Sequence, residues 1–488
     1  MSPEYYEPTW NSLKRHRQPE WLDDAKFGIY FHWGPYSVPA WGSEWYPFKM
    51  YRPHTKEFKH HKETFGDQSE FGYKDLIPKF TAEHFNADEW AALFKQAGAQ
   101  FAGPVAEHHD GFSMWASKVN RWNAKNMGPK RDIVGEMEKA IRKQGMKFIC
   151  TFHHAHNWYH YYHSSKYDTG NPEYSDLYGP IHNLDDKRAR LGLKLDRPSK
   201  EFCEIWLAKC KEVIDNYQPD LIWFDFCLKW IHDDYKRAMV AYYYNKGLEW
   251  DKEVEILYKG HDLPPGVGLL DYERGRSFDL THYKWITDTA LGNKSWSYVD
   301  NEQYKSMSSV IHNFINNISR NGYLLMNFGP KANGEITQEN RNLLLGLGKW
   351  IEINKDAIFG ATPWVIPGEG PTKPKKVGMF SEDKEVVYTS QDLRFVTKGR
   401  TVYIFALGWP GKELVIKSFV KSYNYAKFWR KPWDAYIIEP TDIASVKLVG
   451  VDRVLDWTIE NDGMHVKIPD NIQIPGDHAY TFAITWAN

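Results

Sequence analysis

The sequence predicts an α/β fold: a (β/α)8 barrel followed by a C-terminal antiparallel β-sandwich. Three observations predict it. Short apolar runs alternate with helix-period segments over about 350 residues, the pattern of parallel βαβ units. Nearly every apolar run ends on a polar or titratable residue, as strands do at the active face of a barrel. Near Gly360 the alternation gives way to short strands and turn signals. No glycine-rich phosphate fingerprint follows the first run, which disfavours a doubly wound nucleotide-binding fold.

Strands are expected at Lys26–Trp33, Phe101–His108, Met146–His153, Leu221–Phe226, Val254–Lys259, Leu269–Glu273, Trp296–Val299 and Tyr323–Asn327. Between them lie helical patterns. Ala87–Ala97 follows Asn86 as N-cap and stops at Gly98. Ile133–Lys143 follows Asp132 and stops at Gly145. Lys200–Tyr217, Asp234–Gly247, Glu302–Ile318 and Thr337–Ile353 complete the series, and Met50–Tyr73 reads as a long polar loop. The barrel is assigned to 1–358 and the sandwich to 359–488. In the sandwich, strands are expected at Val386–Thr389, Leu393–Lys398, Thr401–Leu407, Glu413–Ile416, Val446–Leu448, Thr458–Glu460, Gly463–Lys467 and Tyr480–Ile484. The run Pro367–Pro374, the turn Trp409-Pro410-Gly411-Lys412 and the turn Asn461-Asp462-Gly463 punctuate them.

With 488 residues the chain has room for two cores. A net charge of -1 offers no electrostatic footprint for nucleic acid or an anionic membrane. No apolar stretch is long enough for membrane insertion. Cys150, Cys203, Cys210 and Cys227 lack zinc-type spacing and read as buried free thiols. The first residues lack a basic, apolar leader, which leaves a cytoplasmic protein and a trimmed secretory one as alternatives. The 22 Trp, 30 Tyr and 20 His suit a carbohydrate partner, whose C–H faces stack on rings while its hydroxyls need polar neighbours.

The stretch Leu221-Ile222-Trp223-Phe224-Asp225-Phe226 places a carboxylate at the end of a buried strand, a costly position unless the group has partners or a task. The other strand ends carry His32 and Trp33; His108, His109 and Asp110; His153 and His154; Lys259 and His261; Glu273; and Asn327. Their convergence points to an active site more strongly than any one of them. Asp225 and Glu273 stand on strands that the topology makes near neighbours; retaining glycoside hydrolysis needs two carboxyl groups about 5–5.5 Å apart, and inverting hydrolysis needs them farther apart. Glu44 and Glu107 are further candidates, and Glu273 could instead pair with an arginine. A metal-dependent hydrolase is the competing reading of the histidines. No His-x-His follows the first strand, and adjacent histidines on a strand point to opposite sides, so no metal or other cofactor is assigned. His156, His160 and His163 are expected on the surface of a loop.

At these residues the chain resembles the α-L-fucosidases of glycoside hydrolase family 29. The matching motifs run from Lys26 to Gly34, then Tyr36-Ser37-Val38-Pro39-Ala40, Glu44-Trp45-Tyr46 and His108-His109-Asp110-Gly111-Phe112. They continue with Trp223-Phe224-Asp225, Asp271-Tyr272-Glu273-Arg274-Gly275 and the run Asn321 to Pro330. The resemblance implies a barrel followed by a β-sandwich and a retaining, exo-acting release of terminal α-L-fucose. It implies Asp225 as nucleophile and Glu273 as acid/base, with Glu44 as rival. His32, Glu44, Trp45, His108, His109 and Trp223 match positions that hold the sugar, and Trp296 and Tyr298 match an aromatic segment near it. A secreted or periplasmic location goes with the family where a signal peptide has been removed.

The chain departs from the family pattern at Glu107, where the family usually carries a Lys, and after the third strand, where Phe152, His153 and His154 stand in place of an expected Tyr and Ser. Lys259 stands where a pocket Arg is expected, and Ser297 where a Gly is expected between Trp296 and Tyr298. Lys and Arg grip carboxylates and hydroxyls with different geometry. The alternative substrate is therefore α-L-galactose, which is L-fucose with an added C6 hydroxyl, in an algal galactan; Lys259, His153 and His154 are the positions expected to contact that hydroxyl. A non-catalytic carbohydrate-binding protein is the rival class, disfavoured because both carboxylates are present. The sequence assigns no oligomeric state.

Overall fold

The computed structural model describes residues 5–182, 197–277, 279–373, 376–382, 386–420, 436–437 and 439–487. Eight strands close a parallel barrel in chain order: β1 (Phe27–Phe31), β2 (Phe101–Glu107), β3 (Lys147–Phe152), β4 (Leu221–Phe224), β5 (Glu255–Lys259), β6 (Leu269–Asp271), β7 (Trp285–Ala290) and β8 (Gly322–Phe328). Closure is made by β8 pairing onto β1, with Phe27 opposite Leu324 and Phe31 opposite Phe328. The strands read as unbroken apolar runs because both faces are covered, and β4 is buried at every position. Alternation sorts the side chains. Leu221 and Trp223 join Tyr30, Ile149, Leu257, Leu269 and Ile286 inside the barrel, while Ile222 and Phe224 pack under the helices.

The longer helices are α1 (Lys56–Thr64), α2 (Ala87–Gln96), α3 (Ile133–Lys143), α4 (Lys200–Tyr217), α5 (Asp233–Glu249), α6 (Met307–Ile318) and α7 (Gln338–Ile358). All but α5 start at a side-chain cap that satisfies an otherwise orphaned N–H group. Asn86 accepts from the Glu89 amide, Asp132 from Gly135, Ser199 from Phe202, Ser306 from Ser309 and Thr337 from Asn340.

After α7 come β9 (Thr362–Glu369), β10 (Leu393–Lys398), β11 (Thr401–Ala406), β12 (Glu413–Ile416), β13 (Phe419–Val420), β14 (Tyr436–Ile437), β15 (Ile443–Leu448), β16 (Trp457–Ile459), β17 (Met464–Lys467) and β18 (Tyr480–Trp486). A five-stranded antiparallel sheet, β15-β18-β11-β10-β9, faces a three-stranded one, β12-β17-β16. They share one core: Phe395, Ile404 and Phe482 from the first sheet meet Leu414, Ile416 and Val466 from the second. The four cysteines are buried free thiols. Among the described residues no helix is long and apolar enough to cross a membrane.

Several expectations are corrected. The polar loop Met50–Tyr73 contains α1, started by Thr55, whose hydroxyl accepts from the Phe58 amide. The seventh strand is Trp285–Ala290, not Trp296–Val299. Beyond Trp285 its outward side chains are Thr287 and Thr289, which bond the Tyr272 carbonyl and the Glu382 carboxylate. A polar outer face gives no apolar run to read. Helices do not alternate with strands throughout: among the described residues none lies between β5 and β6 or between β6 and β7. Val386–Thr389 is not a strand, while Thr362–Glu369 is one despite its Pro and Gly. Pro374, the last residue of the expected turn-rich run, lies outside the described residues.

Candidate active site

The inward phase of each strand carries its end residue to one place. Trp223 points into the barrel, so Asp225 does as well; the Asp225 amide extends the ladder by donating to the Phe152 carbonyl, 3.0 Å. The same step of two residues takes Tyr30 to His32, Leu257 to Lys259, Ile286 to Asp288 and Leu325 to Asn327. On β2 an irregularity between Val105 and Glu107 shifts this phase and aims His108 inward. A small cavity opens at these ends. His32, Glu44, Trp45, His108, His109, His153, Trp223, Asp225, Lys259, Glu273 and Trp296 all line it, together with Tyr30, Phe226 and Asp288.

Lys259 is the hub. Its Nζ lies 2.9 Å from Asp225 Oδ1, 2.8 Å from Glu273 Oε2 and 3.3 Å from Asp288 Oδ2. Burial opposes its charge, but Asp225, Asp288 and Glu273 together hold its pKa well above the usual lysine value. Asp225 Oδ2 faces His109 Nε2 at 3.3 Å and His153 Nε2 at 4.0 Å. Burial would raise the Asp225 carboxyl, yet the Lys259 charge and the flanking imidazoles bring it well below the usual range. Glu273 behaves oppositely. Its burial outweighs Lys259, and with Asp288 and Asp225 nearby its pKa is pushed up to about 7. One cation thus serves two carboxylates whose environments separate their titrations.

The walls are fixed by hydrogen bonds. Asn327 Oδ1 accepts from His32 Nδ1 at 2.8 Å, and the Asn327 amide donates to the Trp296 carbonyl at 2.7 Å. Burial lowers the His32 pKa to about 3, so its ring is neutral with Nδ1 protonated and Nε2 free to accept. His109 Nδ1 faces the His153 carbonyl at 2.7 Å, which orients its Nε2 toward Asp225. Glu44 Oε2 accepts from the Trp296 amide and the Ser295 hydroxyl, 3.0 and 3.1 Å. Trp223 Nε1 donates to Asp271 Oδ2, and Tyr30 donates to Asp288 Oδ2 at 2.9 Å.

Two residues expected to contact the sugar, His154 and Tyr298, lie outside the cavity. His154 is one step out of phase with His153, so it points to the outer face, where it pairs with Glu107 and stacks on Phe202. Glu107 also accepts from Lys209 of α4 at 2.7 Å and from the Ser113 hydroxyl at 2.6 Å. Two departures from the family pattern, Glu107 and His154, are therefore partners in one buried ion cluster. Tyr298 turns away and donates to Asp300 at 2.9 Å. His156 and His160, expected on the surface, are buried: a short turn after β3 folds them against Trp45, His109 and Phe226. His163 is half-buried and bonds the Thr169 carbonyl. His261 and Asp110 are not in the cavity lining; Asp110 accepts from Tyr73 at 2.6 Å instead.

Asp288, Tyr30 and Phe226 also line the cavity, although the sequence does not single them out. Asp288 sits on the strand whose polar outer face conceals it. Tyr30 is hidden in an apolar run, and Phe226 looks like the last core residue of its strand.

Among the described residues, ligand atoms of His32, His108 and His153 lie within 4.8 Å of one another. His32 Nδ1 is already committed to Asn327, and burial holds all three imidazoles below the usual histidine range.

A barrel whose strand ends gather paired carboxylates, imidazoles and indoles around one small cavity is the architecture of a glycoside hydrolase. The Alpha-L-fucosidase family model matches residues 1–356, and the alpha-L-fucosidase C-terminal domain model matches 382–485. The chain belongs to the α-L-fucosidase family, glycoside hydrolase family 29. It is 30% identical to the tissue alpha-L-fucosidase of Rattus norvegicus, over 100% of this chain and 94% of that one. It is 29% identical to the Homo sapiens tissue enzyme, over 99% and 92% of the two chains. The crystal structure of Thermotoga maritima alpha-fucosidase in complex with fucose superposes with a TM-score of 0.75 at 26% identity, covering 98% of this chain and 100% of that one.

Proposed function

We propose that this chain is a retaining, exo-acting α-L-fucosidase with Asp225 as nucleophile and Glu273 as acid/base. The observation that carries the reading is the shared contact with Lys259. Contacts of 2.9 and 2.8 Å to one ammonium put the nearest oxygens of the two carboxylates no more than about 5.7 Å apart, close to the spacing of retaining enzymes. Asp225, held ionised, attacks the anomeric carbon. Glu273, protonated near neutrality, gives its proton to the leaving oxygen. The leaving group departs, and a glycosyl ester on Asp225 remains. Glu273, now ionised, takes a proton from water, which attacks the ester and frees both the sugar and Asp225.

The remaining lining residues suit a single terminal sugar. His32 Nε2 accepts from a hydroxyl, Glu44 offers its second oxygen, and the Trp45, Trp223 and Trp296 rings provide apolar faces. A small cavity closed in by the strand ends at the barrel mouth supports exo action. The division into a catalytic barrel, 1–358, and a β-sandwich, 359–488, belongs to the same reading.

One observation favours α-L-galactosides as a second substrate. His108 and His153 both line the cavity, and the Nδ1 of each is buried with no hydrogen-bond partner among the described residues. Such groups can meet an added C6 hydroxyl, whereas an apolar wall only tolerates one. The test is kcat/KM on aryl α-L-fucoside and aryl α-L-galactoside side by side. A fucoside preference supports the first reading; a galactoside preference replaces it with the second. Inversion in the first product seen by NMR rules out the retaining mechanism for either sugar.

A further inference from the structure

Glu273 stands two residues beyond the short strand β6, in a connection that carries no helix among the described residues. Its neighbour Arg274 has φ +41°, in the left-handed region. What holds this loop comes from the far side of the chain. The segment 378–382, which follows β9, runs along it. The Phe380 amide donates to the Glu273 carbonyl and the Glu382 amide to the Arg274 carbonyl, both at 2.7 Å. Gly378 and Arg276 exchange backbone hydrogen bonds at 2.9 and 3.3 Å, and Arg276 Nη2 donates to the Ser381 carbonyl at 3.0 Å.

This segment is in turn anchored by Glu382, whose side chain is 11% exposed. Its carboxylate accepts from Lys305 Nζ at 2.7 Å, Asn313 Nδ2 at 2.9 Å and the Thr289 hydroxyl at 2.8 Å. Lys305 also donates to the Thr289 hydroxyl, 2.6 Å. Burial would raise the Glu382 carboxyl, but the Lys305 charge keeps it below its ordinary value. Thr289 is the outward neighbour of Asp288, whose carboxylate faces inward to Lys259, the residue that grips Glu273. Glu382 therefore reaches Glu273 by two routes, through the backbone of 380–382 and through β7. Arg274 adds a third link, lying 4.5 Å over the Trp296 ring that lines the cavity.

We propose that Glu382 is a positioning residue for Glu273: by pinning 378–382 to β7 and α6, it sets the aim of the Glu273 carboxyl at the leaving oxygen. The inference rests on the reading of Glu273 as acid/base. Glu382 does not line the cavity. In kcat/KM, which reads the first step, its effect falls mainly on proton donation, so it scales with how much the leaving group needs a proton.

The test compares Glu382→Gln, Asn313→Ala and Glu273→Ala on aryl α-L-fucosides with a good leaving group, 2,4-dinitrophenol, and a poor one, phenol, with Tm and the pH profile recorded for each. Glu382→Gln is expected to lower kcat/KM on the phenyl glycoside by about 10- to 100-fold, the scale of an ångström-level misplacement, with KM little changed. On the dinitrophenyl glycoside the loss is expected to stay below about 3-fold. Asn313→Ala, which removes one hydrogen bond and no charge, shifts the same ratio by less and decides between the outcomes if Glu382→Gln fails to fold. Equal losses on both substrates accompanied by a lower Tm, or no loss on either, overturn the proposal. If Glu273→Ala separates the two substrates and Glu382→Gln does not, only the positioning role falls. If Glu273→Ala does not separate them, the acid/base assignment falls and takes the positioning role with it.

Discussion

Asp225 and Glu273 contact the same ammonium, that of Lys259, at 2.9 and 2.8 Å. A single cation placed between two carboxylates neither neutralises both nor treats them alike. Asp225 has His109 and His153 at its free oxygen and is held ionised; Glu273 has Asp288 as neighbour and stays protonated up to about pH 7. The asymmetry is what a nucleophile and an acid need from one site.

Asp225→Asn keeps the size of the side chain and removes the charge that the proposed nucleophile needs. Turnover is expected to fall at least about 1,000-fold with the fold intact by circular dichroism. Wild-type turnover in this variant would remove Asp225 from the mechanism.

Glu273→Ala separates the two steps. With an activated aryl fucoside the first step persists, the glycosyl-enzyme accumulates as a burst, and azide restores turnover by attacking without base assistance. Glu44→Ala is expected to weaken substrate binding without azide rescue. If the two variants exchange these behaviours, Glu44 is the acid/base.

The pH profile of kcat/KM follows from the two shifts. Asp225, lowered, is already ionised at mildly acidic pH, so the acid limb lies low. In the proposed role Glu273 acts in its protonated form, so activity is expected to fall as pH rises through about 7. Glu273→Gln should abolish that basic limb. A basic limb that persists unchanged in the variant belongs to another group.

Lys259→Met leaves the carboxylates without their shared cation. Both pKa values are expected to rise, which moves the acid limb toward neutrality and the basic limb to higher pH. Removing one partner of a buried ion cluster also destabilises by about 3–5 kcal/mol, read as a fall in Tm. Lys259→Arg restores the charge and recovers part of both losses. An unmoved acid limb in Lys259→Met would show that Lys259 does not set the Asp225 charge.

His153 and His154 are neighbours in sequence with opposite expected roles. His153→Ala is expected to change kcat/KM, and His154→Ala to lower Tm by exposing the Glu107–Lys209 pair while leaving KM in place. Equal effects on KM would place both in the sugar site.

The parts of the barrel legible in the sequence are those in which periodicity and burial agree. β4 is readable because both its faces are buried, α2 and α3 because Asn86 and Asp132 stand just before an apolar stripe. Asp225, His32, Lys259 and Asn327 follow from their places at strand ends. β7 is not legible, because Thr287 and Thr289 give its outer face to hydrogen bonds with distant chain segments rather than to a helix. Asp288 is lost with it. His154 is expected near the sugar from its place after the third strand, but its strand phase turns it to the outer face.

Local pattern is enough to establish the alternation of strands and helices, the change of character near Gly360 and the set of polar strand ends. These depend on short-range periodicity and on the cost of burying a charge without a task. Long-range contacts settle which of those ends share a cavity and that Lys259 joins Asp225 to Glu273. They also bring a segment more than 100 residues downstream of Glu273 to hold its loop. The difference is one of range. Periodicity and capping act over one or two turns of chain, whereas the charge state of a carboxylate is set by whatever groups closure of the barrel brings within a few ångströms of it.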